Sequence, residues 1–453
     1  MTILGSLSTM GNVKPTSMTR SSFGGSSFGG SSQSANNVAC GGCGGNGINI
    51  DANVNVNLGG LLENLKNDNS MNSKPFKEFV IEQCIKTDLN NSKYRKIIIA
   101  QDWEEFLVQK YIVESPLNGT NNLKNIIFLF GAQGDQTPTM GMKLYDHFSA
   151  YSSTIDKLDG LFKQYIGYSV INKLLDIPKG SKEIFDQSVA QPSLTLYTIG
   201  MFELYKHFNI NPSIVFGLSF GEIGCMYAAN CLSMENIVKL VYHRSTIQSL
   251  STGNGCMILI REKQGLLDSR YHTNELEVAG RFPRTIVYNA TKESANSLKR
   301  ILDQDGVKNH IIPLPGKFHS RAQKPLKPKI LESLSHLNFD RPSIKWYSTV
   351  TGELSSEKVD ANYIYKNIRK PFLFDSALSS IIRENQIDEC AFLVISPGTD
   401  YSNHIYSVLQ NATIISMSKS TDDEVTSFLM TLGKLFCNGF NNINFLSQFP
   451  EFA

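Results

Sequence analysis

The sequence lacks an excess of charge and any long apolar run, and each absence narrows what the protein can be. Lys and Arg together number 43 against 41 Asp and Glu, so the net charge of +2 gives no basic field of the kind that nucleic-acid-binding proteins carry. No uninterrupted apolar run approaches the roughly 18–20 residues of a membrane-spanning helix. The N-terminus also lacks the basic and apolar regions of a secretory signal. We therefore expect no nucleic-acid partner, no membrane partner and a cytoplasmic location.

Cysteine is also sparse, with 8 residues in 453, which is too few for a disulfide scaffold. Cys40 and Cys43 form a CxxC pair, but no second CxxC or nearby HxxxH supplies the remaining ligands of a zinc site. We interpret the pair as part of a glycine-rich segment. We expect no metal site and a reduced protein.

Glycine is unevenly spread, since 13 of the 34 glycines fall within residues 1–60. Residues 1–72 are rich in Gly, Ser and Asn and cannot bury enough side chain to offset the entropy of ordering. We predict a disordered low-complexity arm with one candidate strand at 48–58. The opening MTIL, the SFGG repeats and CGGCGG resemble the small HssA/B-type proteins of social amoebae. That resemblance implies no chemistry.

Beyond the arm, the pattern alternates between apolar strands and amphipathic helices, which predicts an α/β body with a smaller α+β insertion. We predict a linker subdomain at 73–119, a main domain at 120–420 with the insertion at about 256–314, and a C-terminal linker helix and tail at 421–453.

Local patterns give more specific predictions. Residues 102–112 are predicted to be a helix. Residues 125–136 are predicted to be a buried strand that runs into a glycine-containing loop. Residues 233–250 are predicted to be an amphipathic helix with Ser233 as its N-cap.

The most informative stretch is 217–221, which reads Gly-Leu-Ser-Phe-Gly and matches GxSxG between an apolar strand and a helix. In such an elbow, small residues let the strand and the helix approach closely, and the serine hydroxyl is exposed at the helix N-terminus. The backbone N–H of Phe220 and the helix dipole can stabilise an oxyanion there. We interpret Ser219 as the candidate nucleophile.

Two further residues, His319 and Arg244, are candidates for the same site as the serine nucleophile. Of the 8 histidines, His319 follows an apolar strand in the short loop GKFHSR, a position typical of a catalytic base. A structural role is the alternative for His319, and the other histidines are interpreted as surface or packing residues. Arg244 lies on or beside the apolar face of the helix at 233–250, where a cation needs a carboxylate or phosphate partner. A structural ion pair or a snorkelling side chain is the alternative for Arg244.

Several motifs occur together in the order of one known family. FLFGAQGDQTPTMGMKLY resembles its opening motif, and the stretch from QPSLTLYTIGMF through GLSFGEIGCMYAANCLS resembles its nucleophile region. VKLVYHRS, GKFHS, SIKWYSTVTGE and FLVISPG resemble its later segments. Residues 75–440 thus resemble the acyltransferase domain of polyketide and fatty-acid synthases, the malonyl-CoA:acyl-carrier-protein transacylase family. Residues 73–119 resemble the linker that precedes such domains in amoebal polyketide synthases.

The resemblance implies a role for each matching residue. Ser219 would be acylated, and His319 would act as general base and then as general acid, oriented mainly by backbone carbonyls. Gln133 and Phe220 would supply backbone N–H groups to an oxyanion hole. Arg244 would bind the free carboxylate of a malonyl-type acyl group, because a bidentate guanidinium selects a dicarboxylic half-ester over acetyl.

The resemblance also implies the fold, the substrates and the partner. The fold would be a hydrolase-like parallel-sheet core with an inserted ferredoxin-like subdomain. Phe318, directly before the histidine, would be a substrate-binding residue of the type associated with malonyl. The protein would hold no bound cofactor and would use malonyl-CoA or a related acyl-CoA as donor. No ketosynthase cysteine motif and no carrier-protein serine motif occurs in the sequence, so we expect an acyl carrier protein in trans whose phosphopantetheine thiol accepts the acyl group.

Four positions near the predicted site depart from the family pattern. Leu218 replaces a histidine, Asp135 puts a carboxylate near the oxyanion hole, and residues 281–283 read Arg-Phe-Pro in place of Asn-Gly-Pro. Residues 316–317 are Gly-Lys, unlike the usual pair. An alternative is therefore a catalytically impaired remnant of a polyketide synthase that acts as a binding module.

A third hypothesis is an α/β-hydrolase or thioesterase, which shares GxSxG. That class needs an acid between the serine and the histidine. Asp268, Asp303 and Asp305 are available but lie in the insertion. The hypothesis leaves Gln133 and Arg244 without a role.

Overall fold

A computed structural model of the chain describes residues 2–4, 75–86, 95–108, 111–115, 123–253, 255–261, 276–355, 358–417 and 423–449. The candidate strand at 48–58 and the Cys40–Cys43 pair lie outside the described residues. No helix in the described ranges is both long and apolar enough to cross a bilayer.

The described residues form thirteen strands and fourteen α-helices. The strands are β1 Thr2–Leu4, β2 Lys96–Ala100, β3 Tyr111–Glu114, β4 Asn125–Phe130, β5 Ile214–Gly217, β6 Cys256–Arg261, β7 Glu277–Phe282, β8 Thr285–Ala290, β9 Asn309–Ile312, β10 Lys345–Tyr347, β11 Phe372–Leu373, β12 Cys390–Ile395 and β13 Thr413–Ser416. The helices are α1 Phe76–Lys86, α2 Trp103–Val108, α3 Met142–His147, α4 Ser149–Ile166, α5 Val170–Leu175, α6 Gln187–His207, α7 Glu222–Ala228, α8 Met234–Ser249, α9 Lys292–Gln304, α10 Lys327–Ser333, α11 Ala361–Arg369, α12 Phe374–Glu384, α13 Ser402–Tyr406 and α14 Glu424–Cys437.

The main sheet has five parallel strands in the order β10-β5-β4-β12-β13. Its inner strands are almost entirely apolar because helices cover both faces of a parallel sheet. Strands β4 and β5 pair so that Phe130 lies opposite Gly217. The two strands therefore end side by side, and the loops that follow them meet. This edge is where ligands bind in open α/β sheets.

A second sheet has the order β11-β7-β8-β6-β9. The antiparallel order β7-β8-β6-β9, with α9 leading into β9, is the strand order of a ferredoxin-like unit, and the predicted α/β class with such an insertion is confirmed. The crossover at 262–275, between β6 and β7, lies outside the described residues. The two-residue strand β11 pairs with β7 from outside the insertion, so it connects the small sheet to the segment that follows α11.

The third sheet, β1-β2-β3, is antiparallel and lies against α14. The Arg95 guanidinium donates to the carbonyl of Phe436 at 2.8 Å, and the Ser115 hydroxyl donates to the carbonyl of Cys437 at 2.8 Å. The segment before the main domain is therefore fixed to the helix after it.

One local prediction is wrong. The helix predicted at 102–112 ends at Val108, and Tyr111–Glu114 is a strand, because Tyr-Ile-Val favours extended backbone and pairs with β2. Residues 2–4, at the start of the arm predicted at 1–72, form β1 and pair with residues 98–100. There, Thr-Ile-Leu supplies strand-forming residues to an edge that would otherwise leave backbone groups unpaired.

Candidate active site

The GxSxG stretch folds as predicted, with β5, a 3₁₀ turn at Ser219–Gly221 and α7. Ser219 has a φ of +55°, in the left-handed region that an L-residue adopts only at a strain cost. A Cβ on Gly217 would lie 2.5 Å from the backbone of Gly221, and one on Gly221 would lie 2.2 Å from the carbonyl oxygen of Phe130. Both positions therefore require glycine, since this close packing turns the serine out of the strand.

His319 lies against the nucleophile. Its Nε2 is 2.7 Å from Ser219 Oγ, and its Nδ1 is 2.9 Å from the carbonyl oxygen of Lys370. A carbonyl can only accept, so Nδ1 carries the proton and Nε2 is the free acceptor for the serine hydroxyl. The backbone of His319 is also in the left-handed region, with a φ of +56°. Its backbone N–H donates to the carbonyl of Ile368 at 3.1 Å. The Asn289 amide also donates to the carbonyl of Phe318 at 2.8 Å, which fixes the loop.

Burial lowers the pKa of His319 to about 4, and the nearby charge of Arg244 adds to that effect. The imidazole is therefore uncharged at neutral pH and able to accept a proton.

We expect Ser219 to react with a fluorophosphonate probe at a constant rate from neutral pH to about pH 5, and to lose reactivity as the pH falls through about 4, because protonation of His319 removes the base. An ordinary imidazole would lose half its reactivity near its unperturbed pKa of about 6.5. The labelling rate against pH measures this, with circular dichroism at each pH to detect unfolding. A midpoint near 6.5 with the fold intact would contradict the expectation.

The backbone N–H groups of Gln133 and Phe220 are the ones expected to form an oxyanion hole. In the loop after β4, the N–H of Ala132 donates to the Tyr401 hydroxyl at 3.0 Å and that of Gly134 donates to Gln136 Oε1 at 2.8 Å. The N–H of Gln133 between them has no protein acceptor among the described residues. The N–H of Phe220 is in the first turn of a helix, where no intrahelical acceptor exists. Gln133 lines the same cavity as Ser219.

Arg244 is buried at 1% exposure on α8, whose N-cap is Ser233 as predicted. Its Nη1 donates to Asn367 Oδ1 at 2.8 Å, and its guanidinium carbon lies 5.2 Å from the centroid of the Phe220 ring. Its Nε is buried with no partner among the described residues. Burial lowers the pKa of Arg244 to about 10, so the side chain stays cationic at neutral pH.

A cavity of about 280 Å³ opens beside Ser219. Arg244, His319 and the loop at 132–135 lie on its wall. The small sheet contributes two neighbouring cross-strand pairs, Met257 with Ile312 and Leu259 with His310. The other apolar residues on its wall are Leu218, Phe282, Val287, Pro313, Leu314, Phe318 and Phe372. The cavity thus combines a serine nucleophile and a buried cation with a largely apolar wall.

The departures from the family pattern have distinct positions. Leu218 is buried in the apolar wall. The Asp135 carboxylate accepts a hydrogen bond from the Thr399 hydroxyl, so one of its oxygens faces the loop that follows β12. Arg281 is exposed, whereas Phe282 beside it stacks on His404 with centroids 4.2 Å apart.

Sequence reasoning missed several residues of the site. Asn367 and Glu222 are buried beside Ser219 and Arg244. Nothing in a single sequence indicates that the asparagine in YKNIRK, or the glutamate in the first turn of α7, belongs to the site. His310 and His404, interpreted as surface or packing residues, both line the cavity. Tyr401 orients the loop after β4 through its hydroxyl.

Comparison with known proteins identifies relatives of this chain. The sequence model described as "Acyl transferase domain" matches residues 127–442, and a coiled-coil model matches residues 1–80. Probable polyketide synthase 17 of Dictyostelium discoideum is 34% identical over 423 residues, which is 86% of this chain and 16% of that protein. Probable polyketide synthase 41 of the same organism is 31% identical over 409 residues, 84% of this chain and 16% of that protein. The chain thus spans about a sixth of the length of these curated relatives.

A solved structure has the same fold. The acyltransferase domain from module 8 of the salinomycin polyketide synthase superposes with a TM-score of 0.77 at 19% identity, covering 87% of this chain and 95% of that domain. At this level of identity the likeness shows the fold alone.

Proposed function

The chain belongs to the acyl transferase domain family and is an acyltransferase of the amoebal polyketide-synthase type, and from that premise we propose that it moves a malonyl-type acyl group from coenzyme A to the phosphopantetheine thiol of an acyl carrier protein. The single observation that carries the proposal is the pairing of Ser219 with an uncharged His319 at 2.7 Å beside the buried cation Arg244.

The first half of the reaction acylates the serine. Ser219 Oγ attacks the thioester carbonyl while its proton moves to His319 Nε2. The Nδ1–H of the same ring keeps its hydrogen bond to the Lys370 carbonyl. The N–H groups of Gln133 and Phe220 stabilise the negative charge on the carbonyl oxygen. When the carbon–sulfur bond breaks, His319 returns the proton to the departing coenzyme A thiolate. An acyl-Ser219 ester remains.

The second half repeats these steps with the carrier protein. The phosphopantetheine thiol gives its proton to His319 and attacks the ester carbonyl. The ester bond breaks, the proton passes to Ser219 Oγ, and the acyl group leaves as a thioester of the carrier protein. No oxidant, reductant or metal is consumed, and the reaction is ping-pong.

The position of Arg244 favours acyl groups with a free carboxylate. Its guanidinium is fixed on one edge by Asn367, while Nε has no partner among the described residues and the side chain lines the cavity. An acyl group that carries a carboxylate would satisfy this buried cation, whereas acetyl would leave it unpaired. The binding-module alternative has less support, because the serine–histidine geometry is intact and the Asp135 carboxylate is hydrogen-bonded to Thr399.

Mass spectrometry of the intact protein after exposure to malonyl-, methylmalonyl- and acetyl-CoA tests the proposal. We expect a malonyl-type adduct on Ser219 that disappears when a carrier protein with its phosphopantetheine is added. Absence of any adduct on the folded wild-type protein would contradict the proposed function and favour the binding-module alternative. Release of free acid without carrier protein would favour the hydrolase hypothesis.

Arg244→Gln is expected to lower kcat/KM for malonyl-CoA by roughly 100-fold, because two charge-assisted hydrogen bonds to the carboxylate are lost. The value for acetyl-CoA should change far less. Arg300→Gln, which removes an exposed arginine on α9, is the matched control. Equal losses for both substrates would contradict the role of Arg244 in selection.

A further inference from the structure

A buried hydrogen-bond network links the nucleophile and the cation. Asn367, 2% exposed on α11, donates through Nδ2 to the Ser219 carbonyl at 3.0 Å and to Glu222 Oε2 at 2.9 Å. Its Oδ1 accepts from Arg244 Nη1 at 2.8 Å. One amide therefore contacts the elbow, a buried acid and the cation that faces the cavity.

The orientation of this amide is fixed by its neighbours. If the amide were flipped, its NH₂ group would face the Arg244 donor and its oxygen would face the Glu222 carboxylate and the Ser219 carbonyl. Donor would then meet donor, and acceptor would meet acceptor. Only the observed orientation satisfies all three contacts.

Glu222 supplies the negative charge of the network. It is fully buried and accepts from the Thr349 N–H at 2.6 Å and the Tyr363 hydroxyl at 2.9 Å, besides Asn367. The pKa of Glu222 is raised, because burial opposes its charge more than these hydrogen bonds favour it. Three donors contact its two oxygens, an arrangement that favours the ionised carboxylate.

The neutral amide thus stands between a buried cation and a buried anion. A direct Arg–Glu pair would use the donor groups of the guanidinium in an internal ion pair and turn it away from the cavity. With Asn367 as a spacer, only Nη1 is engaged, and Nε has no partner among the described residues. The remaining donors are left for a ligand.

We propose that Asn367 is a positioning residue that makes the enzyme selective for acyl groups with a free carboxylate, by holding Arg244 on the cavity wall and apart from Glu222. The proposal rests on the proposed function, and it adds a residue that acts on the substrate only through Arg244. Without this amide, Arg244 is free to turn toward Glu222, and the site should lose its preference for malonyl over acetyl.

The test compares Asn367→Ala and Asn367→Asp with the wild type, using malonyl-CoA and acetyl-CoA as donors. We expect kcat/KM for malonyl-CoA to fall by about tenfold or more, mainly through a higher KM, since a hydrogen bond to a charged group is lost. The value for acetyl-CoA should stay within about threefold. The Asp variant keeps the shape of the side chain but places a carboxylate against Arg244, and the resulting ion pair would compete with the carboxylate of the acyl group. It should therefore show the same loss of selectivity if the Ala variant folds poorly.

Tyr363→Phe is the matched control, because Tyr363 donates to the same oxygen of Glu222 as Asn367 but has no hydrogen bond to Arg244 or Ser219 among the described residues. It should lower the melting temperature and leave the malonyl-to-acetyl ratio unchanged. A purely structural role for Asn367 would lower kcat/KM for malonyl-CoA and for acetyl-CoA equally in both Asn367 variants, and that result would overturn the proposal.

A binding measurement separates this proposal from the proposed function. If the wild-type protein forms no acyl adduct, the proposed function fails. Saturation-transfer NMR with monomethyl malonate then tests the carboxylate site alone. Binding by the wild type and by Tyr363→Phe, with loss in Asn367→Ala, would support the role of Asn367. Equal binding by the wild type and Asn367→Ala, or no binding by the wild type, would overturn it.

Discussion

Replacing Ser219 with alanine is expected to abolish the acyl-enzyme and to reduce acylation of the carrier protein by roughly 10³-fold or more. The hydroxyl is the atom that forms the covalent bond, and His319 Nε2 then has no group to deprotonate. Intact-protein mass spectrometry with malonyl-CoA measures the adduct, and transfer to a carrier protein measures turnover.

Folding should change little in Ser219→Ala, because serine and alanine both have a Cβ and bear similar strain at a φ of +55°. Ser245→Ala is the matched control, since Ser245 is buried on α8 and its hydroxyl bonds only the Tyr242 carbonyl among the described residues. It should keep near wild-type activity. An adduct that persists in Ser219→Ala would mean that another residue is the nucleophile.

Replacing His319 with asparagine is expected to slow acylation by about 10²–10⁴-fold, the range that a positioned general base contributes. Asparagine is the better probe than alanine because it tolerates the left-handed backbone that His319 adopts at a φ of +56°. Without a base, deprotonation of Ser219 depends on hydroxide, so the residual rate should rise about tenfold per pH unit. The wild-type rate should be flat over the same range, because the pKa of His319 is lowered to about 4.

Stopped-flow acylation from about pH 6 to 9 measures both profiles. His243→Asn is the control, because His243 pairs with His336, with ring centroids 6.0 Å apart, and does not line the cavity. A His319→Asn variant with a wild-type rate and a flat profile would remove His319 from the mechanism.

The nucleophile elbow could be predicted from the sequence because its cause is local. Gly217 and Gly221 are required by contacts within a few residues and with the adjacent strand, and the residues between them determine the strand, turn and helix. The N-cap of α8 is equally local, since the Ser233 hydroxyl accepts from the N–H of Asn236. The helix predicted at 102–112 failed because pairing with a distant strand decided the state of residues 111–114.

The partners of the site residues could not be predicted, because they come from distant parts of the chain. His319 and Lys370 are 51 positions apart, and Arg244 and Asn367 are 123 apart. One sequence offers many amides and carbonyls that could fill such roles. The short strand β11, which follows Asn367 and Lys370 in the chain, pairs with β7 of the small sheet. This pairing and the hydrogen bond of the Lys370 carbonyl to His319 fix the segment in place.

The sequence by itself therefore determined the α/β class, the elbow and the identity of the candidate nucleophile, base and cation. These follow from the periodicity of apolar residues, from turn chemistry and from the order of motifs along the chain, all of which can be read without the fold. Only the tertiary structure decided that His319 is uncharged, that Lys370 supplies the carbonyl that orients it, that the Asp135 carboxylate is hydrogen-bonded to Thr399, and that Asn367 separates Arg244 from Glu222. Burial and hydrogen-bond geometry set the charge and direction of a side chain, and both depend on residues that the folded chain brings together.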